Sequence, residues 1–157
     1  MRHRFGLFLL LLSGIARGAE LSIDSGIAGP HEPVALNVRL SEATEALTGL
    51  QFDLEYDASA LDVTVEIGPS AESAVKILQT ARTAKSGQRV MIVGFNQNHV
   101  SDGVVAVLHV SARENSGTAA DYPIRLTATA GTNARAESIR VTGREGVLRV
   151  SARNSKK

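Results

Sequence analysis

Leu50-Gln-Phe-Asp-Leu-Glu-Tyr-Asp57 decides the fold class. Leu50, Phe52, Leu54 and Tyr56 are apolar or aromatic, and Gln51, Asp53, Glu55 and Asp57 fall between them. Successive side chains of a strand point to opposite faces, so this alternation is that of a strand with one face in a core and one outside. Downstream, Leu61-Asp-Val-Thr-Val-Glu-Ile67 repeats the pattern and stops at Gly68-Pro69. Upstream, Leu21-Ser-Ile23 and Val34-Ala-Leu-Asn-Val-Arg-Leu40 show it too, punctuated by Gly29-Pro30 and Pro33.

Further strands are expected at 75–80, 89–95, 104–112, 124–130 and 146–150, with a weaker one at 138–141. Turn-forming sets separate them: Lys85-Ser-Gly87, Ser101-Asp-Gly103, Asn115-Ser-Gly117 and Gly131-Thr-Asn133. Only 71–84 is ambiguous, because its Ala, Glu and Lys content also suits a helical turn. Many short, evenly spaced strands without a convincing helix predict an all-β, antiparallel β-sandwich. There is no internal repeat or linker, so the expectation is one domain over 19–152 with a basic tail at 153–157.

The first residues read differently. Met1-Arg-His-Arg4 is basic, Phe5-Gly-Leu-Phe-Leu-Leu-Leu-Leu12 is apolar, and Ser13-Gly-Ile-Ala-Arg-Gly-Ala19 is mostly small. That order is a secretory signal peptide, expected over 1–18, with Ala16 and Gly18 preceding the cut and Ala19 as the alternative end. The apolar run falls short of the ~20 residues a membrane span needs. The expected location is therefore secreted, periplasmic or cell-surface, with no membrane insertion once the leader is gone.

The chain has 17 Lys+Arg against 16 Asp+Glu. Losing Arg2, Arg4 and Arg17 with the leader turns the balance weakly acidic, which argues against nucleic acid as a partner. There is no cysteine, so neither disulfides nor thiolate chemistry are available, and the domain must live on its core.

Three further segments sharpen the assignment: Gly87-Gln-Arg-Val-Met-Ile-Val-Gly94, Asp102-Gly-Val-Val-Ala-Val-Leu-His-Val110 and Gly143-Arg-Glu-Gly-Val-Leu-Arg-Val150. Together with Gly49-Leu-Gln-Phe-Asp-Leu-Glu-Tyr-Asp-Ala-Ser-Ala-Leu-Asp-Val63, their kind and order resemble the cohesin family. The likeness spans essentially the whole chain after the leader. It is a pattern of strands and glycines, and it departs at Asp57-Ala58, where the family usually has Asp-Pro. The resemblance implies a jelly-roll sandwich of about nine strands that docks a dockerin-bearing protein on an exposed sheet face. It places Gln51, Asp53, Glu55 and Asp57 on that face, with Arg89 and Arg125 contributed by neighbouring strands. It also implies kinship with carbohydrate-binding modules, so polysaccharide remains a possible ligand. Links to polysaccharide breakdown or cell-surface assembly follow from the same resemblance.

Competing chemistries are weakly supported. Same-face carboxylates on one strand lie about 6.5–7 Å apart, between the two glycosidase separations, but a flat strand supplies no cleft. The plain reading of the acidic row is a solvated strand face. His31, His99 and His109 occupy a turn, a loop and a strand without metal-binding spacing. No serine sits in a Gly-x-Ser-x-Gly elbow, and no glycine-rich phosphate loop occurs. No catalytic residue, metal or cofactor is therefore expected. After the leader only Phe52, Tyr56, Phe95 and Tyr122 are aromatic, too few for a sugar-gripping row. A carbohydrate-binding module and a structural envelope domain without a dockerin partner stay open as alternatives to the docking module.

Overall fold

The computed structural model describes residues 18–29, 32–84, 87–113 and 119–151. Most of the expected leader, the basic tail and His31 lie outside these residues. Among the described residues, eleven strands and one short helix follow one another as β1 (Gly18–Ile23), β2 (Gly26–Ala28), β3 (Val34–Ser41), β4 (Gly49–Glu55), β5 (Leu61–Ile67), α1 (Pro69–Ser73), β6 (Ile77–Arg82), β7 (Gln88–Val93), β8 (Gly103–Ala112), β9 (Ala120–Thr132), β10 (Ser138–Arg144) and β11 (Gly146–Val150).

Period-2 alternation places the core. Leu50, Phe52 and Leu54 of β4 are buried, as are Leu36, Val38 and Leu40 of β3, while Gln51, Asp53 and Glu55 point the other way. The hydrogen-bonded path runs β5-β8-β3-β1-β10-β9-β4-β7-β6, with β11 and β2 joined beside β9. It folds over where β10 meets β9. One layer, β5-β8-β3-β1, thereby faces another, β6-β7-β4-β9, across a single apolar cluster. Most pairs are antiparallel, as expected. Two are parallel, β1 with β10 and β2 with β11, because the two ends of the domain come to lie side by side.

Three details depart from the expectation. β2 is a strand of only three residues, held by β11. The ambiguous stretch splits into one helical turn, opened by Pro69 at its first position, and a strand that begins at Ile77 rather than Val75. Gly68, just before the turn, lies so close to β8 that a Cβ there would stand 2.5 Å from the Val104 carbonyl oxygen. Finally, β7 ends at Val93, leaving Phe95 beyond it.

Candidate functional site

The outward side of β6-β7-β4-β9 carries most of the sequence-derived candidates. Register fixes its rows. Gln51 pairs with Met91 on one side and Ala130 on the other, and Met91 pairs in turn with Gln79. One row along, Asp53 lies between Arg89 and Thr127, with Ala81 beyond Arg89. Glu55 is the neighbour of Arg125.

The charges are largely consumed within the face. Arg89 donates from Nε and Nη2 to the two Asp53 carboxylate oxygens at 2.7 and 2.9 Å, a two-pronged pair that fits the planar guanidinium. Asp53 keeps only 14% of its side-chain exposure. The acidic row is therefore not simply solvated at this position. The carboxylate beside Arg89 also holds the guanidinium more firmly protonated than usual. Thr127 donates to Glu55 at 3.1 Å. Arg125 turns to Glu145 at 3.0 Å, near the margin of the face.

Asp57 does not continue the row. It lies past the end of β4, where its Oδ1 accepts the Ser59 amide at 2.9 Å and the Ser59 hydroxyl. These bonds hold its carboxyl below the usual carboxylate range. Asp57 is thus a turn fastener, the role a short acidic side chain takes when it can bond two residues ahead. Gln51, Asp53, Glu55, Arg89 and Arg125 are brought to the β4-β7-β9 side of the sheet, and Asp57 is not.

The other end of the face is apolar, and this the sequence reading missed. Ile77 of β6 pairs with Val93 of β7, and two residues from this pair along each chain segment stand Val75, before β6, and Phe95, beyond β7. Phe95 is exposed at 106%, Val75 at 67%, Ile77 at 46% and Val93 at 40%. Four exposed apolar side chains within two residues of one strand pair need a physical reason. Its backbone is fastened from beneath. Lys76, buried, donates from Nζ to the Asn96 carbonyl at 3.1 Å and to Asn96 Oδ1 at 2.8 Å. Asn96 Nδ2 donates back to the Val75 carbonyl at 2.9 Å. Burial pushes the Lys76 ammonium below its ordinary value. Val75 itself sits at φ 55°, a left-handed conformation costly for a β-branched residue and retained here by the surrounding bonds. A signal for this edge existed in the sequence: Val90-Met-Ile-Val93 is apolar at every position, so its outward side is greasy as well as its inward one.

Among the described residues no group of three or more His, Asp or Glu gathers as metal ligands would. His109 Nε2 lies 3.0 Å from Glu66 on the opposite layer, and His99 lines a separate surface hollow. Among the described residues, no helix is long and apolar enough to cross a membrane.

The family model of the cohesin domain matches residues 19–146. The chain belongs to the cohesin family. No curated protein sequence matches it significantly. Solved structures do. A cohesin from Clostridium thermocellum, solved as a type I cohesin–dockerin complex, superposes with a TM-score of 0.74 at 16% identity, covering 85% of this chain and 94% of that one. The sixth cohesin of scaffoldin B from Acetivibrio cellulolyticus, solved with a Cel5 dockerin mutant, gives 0.73 at 17% identity, covering 85% and 99%. A non-cellulosomal cohesin from the archaeon Archaeoglobus fulgidus gives 0.71 at 15% identity, covering 87% and 94%. At such identities the likeness speaks for the fold alone. The antiparallel sandwich expected from the strand pattern is therefore the cohesin fold, as the resemblance implied.

Proposed function

We propose that this cohesin is an exported, non-catalytic docking module that captures a dockerin-type protein on the β6-β7-β4-β9 face. The observation that carries the reading is the exposed apolar set Val75, Ile77, Val93 and Phe95, whose Ile77–Val93 pair continues the polar rows around Asp53. Neighbours of the same fold were solved in complex with dockerins, which supports a partner of that class. The division of the face has an energetic meaning. Asp53 and Arg89 already satisfy each other, so a partner gains little from them and would lose their mutual bonds by displacing them. Binding energy then concentrates in the apolar edge, where a protruding aromatic ring is the usual kind of anchor. The paired charges set orientation and selectivity instead. A place in polysaccharide degradation or cell-surface assembly follows from a partner of this kind.

The test is capture of dockerin-bearing proteins encoded in the same genome, with immobilised wild type and Phe95→Asp. Wild type should retain a dockerin, and chelation of the calcium that dockerin loops bind should release it. Phe95→Asp should weaken capture at least tenfold without shifting the melting temperature. Retention on cellulose or another glycan, indifferent to chelator and to Phe95→Asp, would transfer the case to the carbohydrate-binding alternative.

A further inference from the structure

The place where the leader meets the domain has a consequence for processing. Gly18 is the first residue of β1, and the expected cut follows it directly, with no spacer between leader and strand. β1 is not an edge. It pairs in parallel with β10, from Gly18 opposite Arg140 onward, and antiparallel with β3 from Glu20 onward. The Gly18 carbonyl, which belongs to the bond to be cut, accepts the Thr44 amide at 3.1 Å and the Thr44 hydroxyl at 3.1 Å. The Gly18 amide donates to the same hydroxyl at 2.9 Å. On the far side of the bond Ala19 is buried, followed by Leu21 and Ile23 in the core.

We infer that folding seals the Gly18–Ala19 bond, so that the leader can be removed only before the sandwich closes. The inference rests on the leader reading, not on the docking reading. The reaction is hydrolysis: water adds across the amide, leaving a carboxylate on Gly18 and an α-ammonium on Ala19, with no redox partner. The peptidase must hold an extended stretch on both sides of the bond, and recognition of extended peptide uses its backbone groups. From Gly18 onward those groups are engaged by Thr44, β10 and, beyond Ala19, β3. Freeing them means peeling the start of β1 from β10 and from Thr44, and from β3 beyond Glu20, while lifting Ala19 and Leu21 out of the core, a local opening that is rare in the folded domain. Cleavage of a folded precursor then follows the population of that rare open form. Folding and cleavage therefore compete for each exported chain. Chains cut first are released, and chains that fold first keep the apolar 5–12 segment attached and remain at the membrane.

The experiment uses the full 157-residue precursor in detergent micelles with a bacterial signal peptidase, followed by intact mass. The comparison is Leu108→Asp, which puts a charge at a fully buried β8 position and leaves the sequence around the cut untouched. The unfolded variant should be trimmed to begin at Ala19, and folded wild type should react at least about a hundredfold more slowly. As a second measurement, cell-free synthesis with peptidase present from the start should yield the trimmed chain, whereas peptidase added after folding should not. Equal rates for folded and unfolded chains would overturn the inference, as would trimming of the folded precursor at an earlier bond. If neither chain is cut under any order of addition, the leader reading itself falls, and this inference with it. The docking reading stands or falls separately on the capture experiment.

Discussion

Phe52 and Phe95 offer the same side chain in opposite environments, and truncating each to alanine should separate stability from docking. Phe52 is fully buried on β4, flanked by Leu50 and Leu54 and paired with Val90 of β7. Removing its ring gives up roughly 100–150 Å² of buried apolar surface, about 2.5–4 kcal/mol at ~25 cal/mol per Å². The cavity left in a two-layer core that cannot collapse freely brings the expected cost to about 3–5 kcal/mol. For a domain of this size that is a fall in melting temperature of roughly 10–25 °C. Phe95 is wholly exposed, so Phe95→Ala should change stability by no more than about 0.5 kcal/mol. The assay is urea unfolding followed by circular dichroism, with the midpoint moving and the slope preserved for Phe52→Ala. Equal losses for the two variants, or a Phe52→Ala cost below about 1 kcal/mol, would refute the assignment of faces on which the fold and the proposed docking edge both depend.

Two further outcomes follow from the structure. Gly68→Ala should destabilise by about 1–3 kcal/mol, because the added methyl meets the β8 backbone at Val104, Val105 and Ala106 rather than a side chain that could move; an unchanged urea midpoint would contradict that close approach. Stability should hold from neutral pH down to about pH 5 and fall below about pH 4. Arg39 and then Asn37 hold the Asp24 carboxyl below its ordinary value, so its ionised form favours the fold above that value and the contribution is lost as protonation proceeds. Asp24→Asn should flatten part of the acid decline in a series of thermal melts, and high salt should do the same.

The succession of strands along the chain was legible because each long strand carries its own alternation. β4, β5 and β8 could be read from local sequence since one face of each meets the core. β2 could not: its three residues include an exposed Ile27 and no alternating run, and it exists because β11 lies beside it. The start of β6 was displaced for a similar reason. Val75 looks like a strand residue, yet it is bonded to Glu72 and Asn96 in a left-handed turn that no local preference would choose. Parallel closure of β1 on β10 is likewise a property of two chain ends more than a hundred residues apart, beyond the reach of any periodicity.

The face was legible in one dimension and hidden in the other. Alternation put Gln51, Asp53 and Glu55 on the outward side of β4, but it could not say that Asp53 meets Arg89, since the pair depends on the register between β4 and β7. It carried Asp57 into the row by simple extension, where the preference of an Asp-Ala-Ser segment for a turn prevailed. Charge drew attention to the end of the face where charges are already spent. The apolar end went unread because Val93 and Phe95 pass for ordinary core residues until Val93 is seen to face outward on β7 and Phe95 to stand exposed beyond its end. A charged group that has found its partner inside the fold has less to offer another protein than a ring that has found none. On the proposed docking reading, recognition therefore falls to Phe95 and its neighbours, with the Asp53–Arg89 pair as the polar border that would orient a partner.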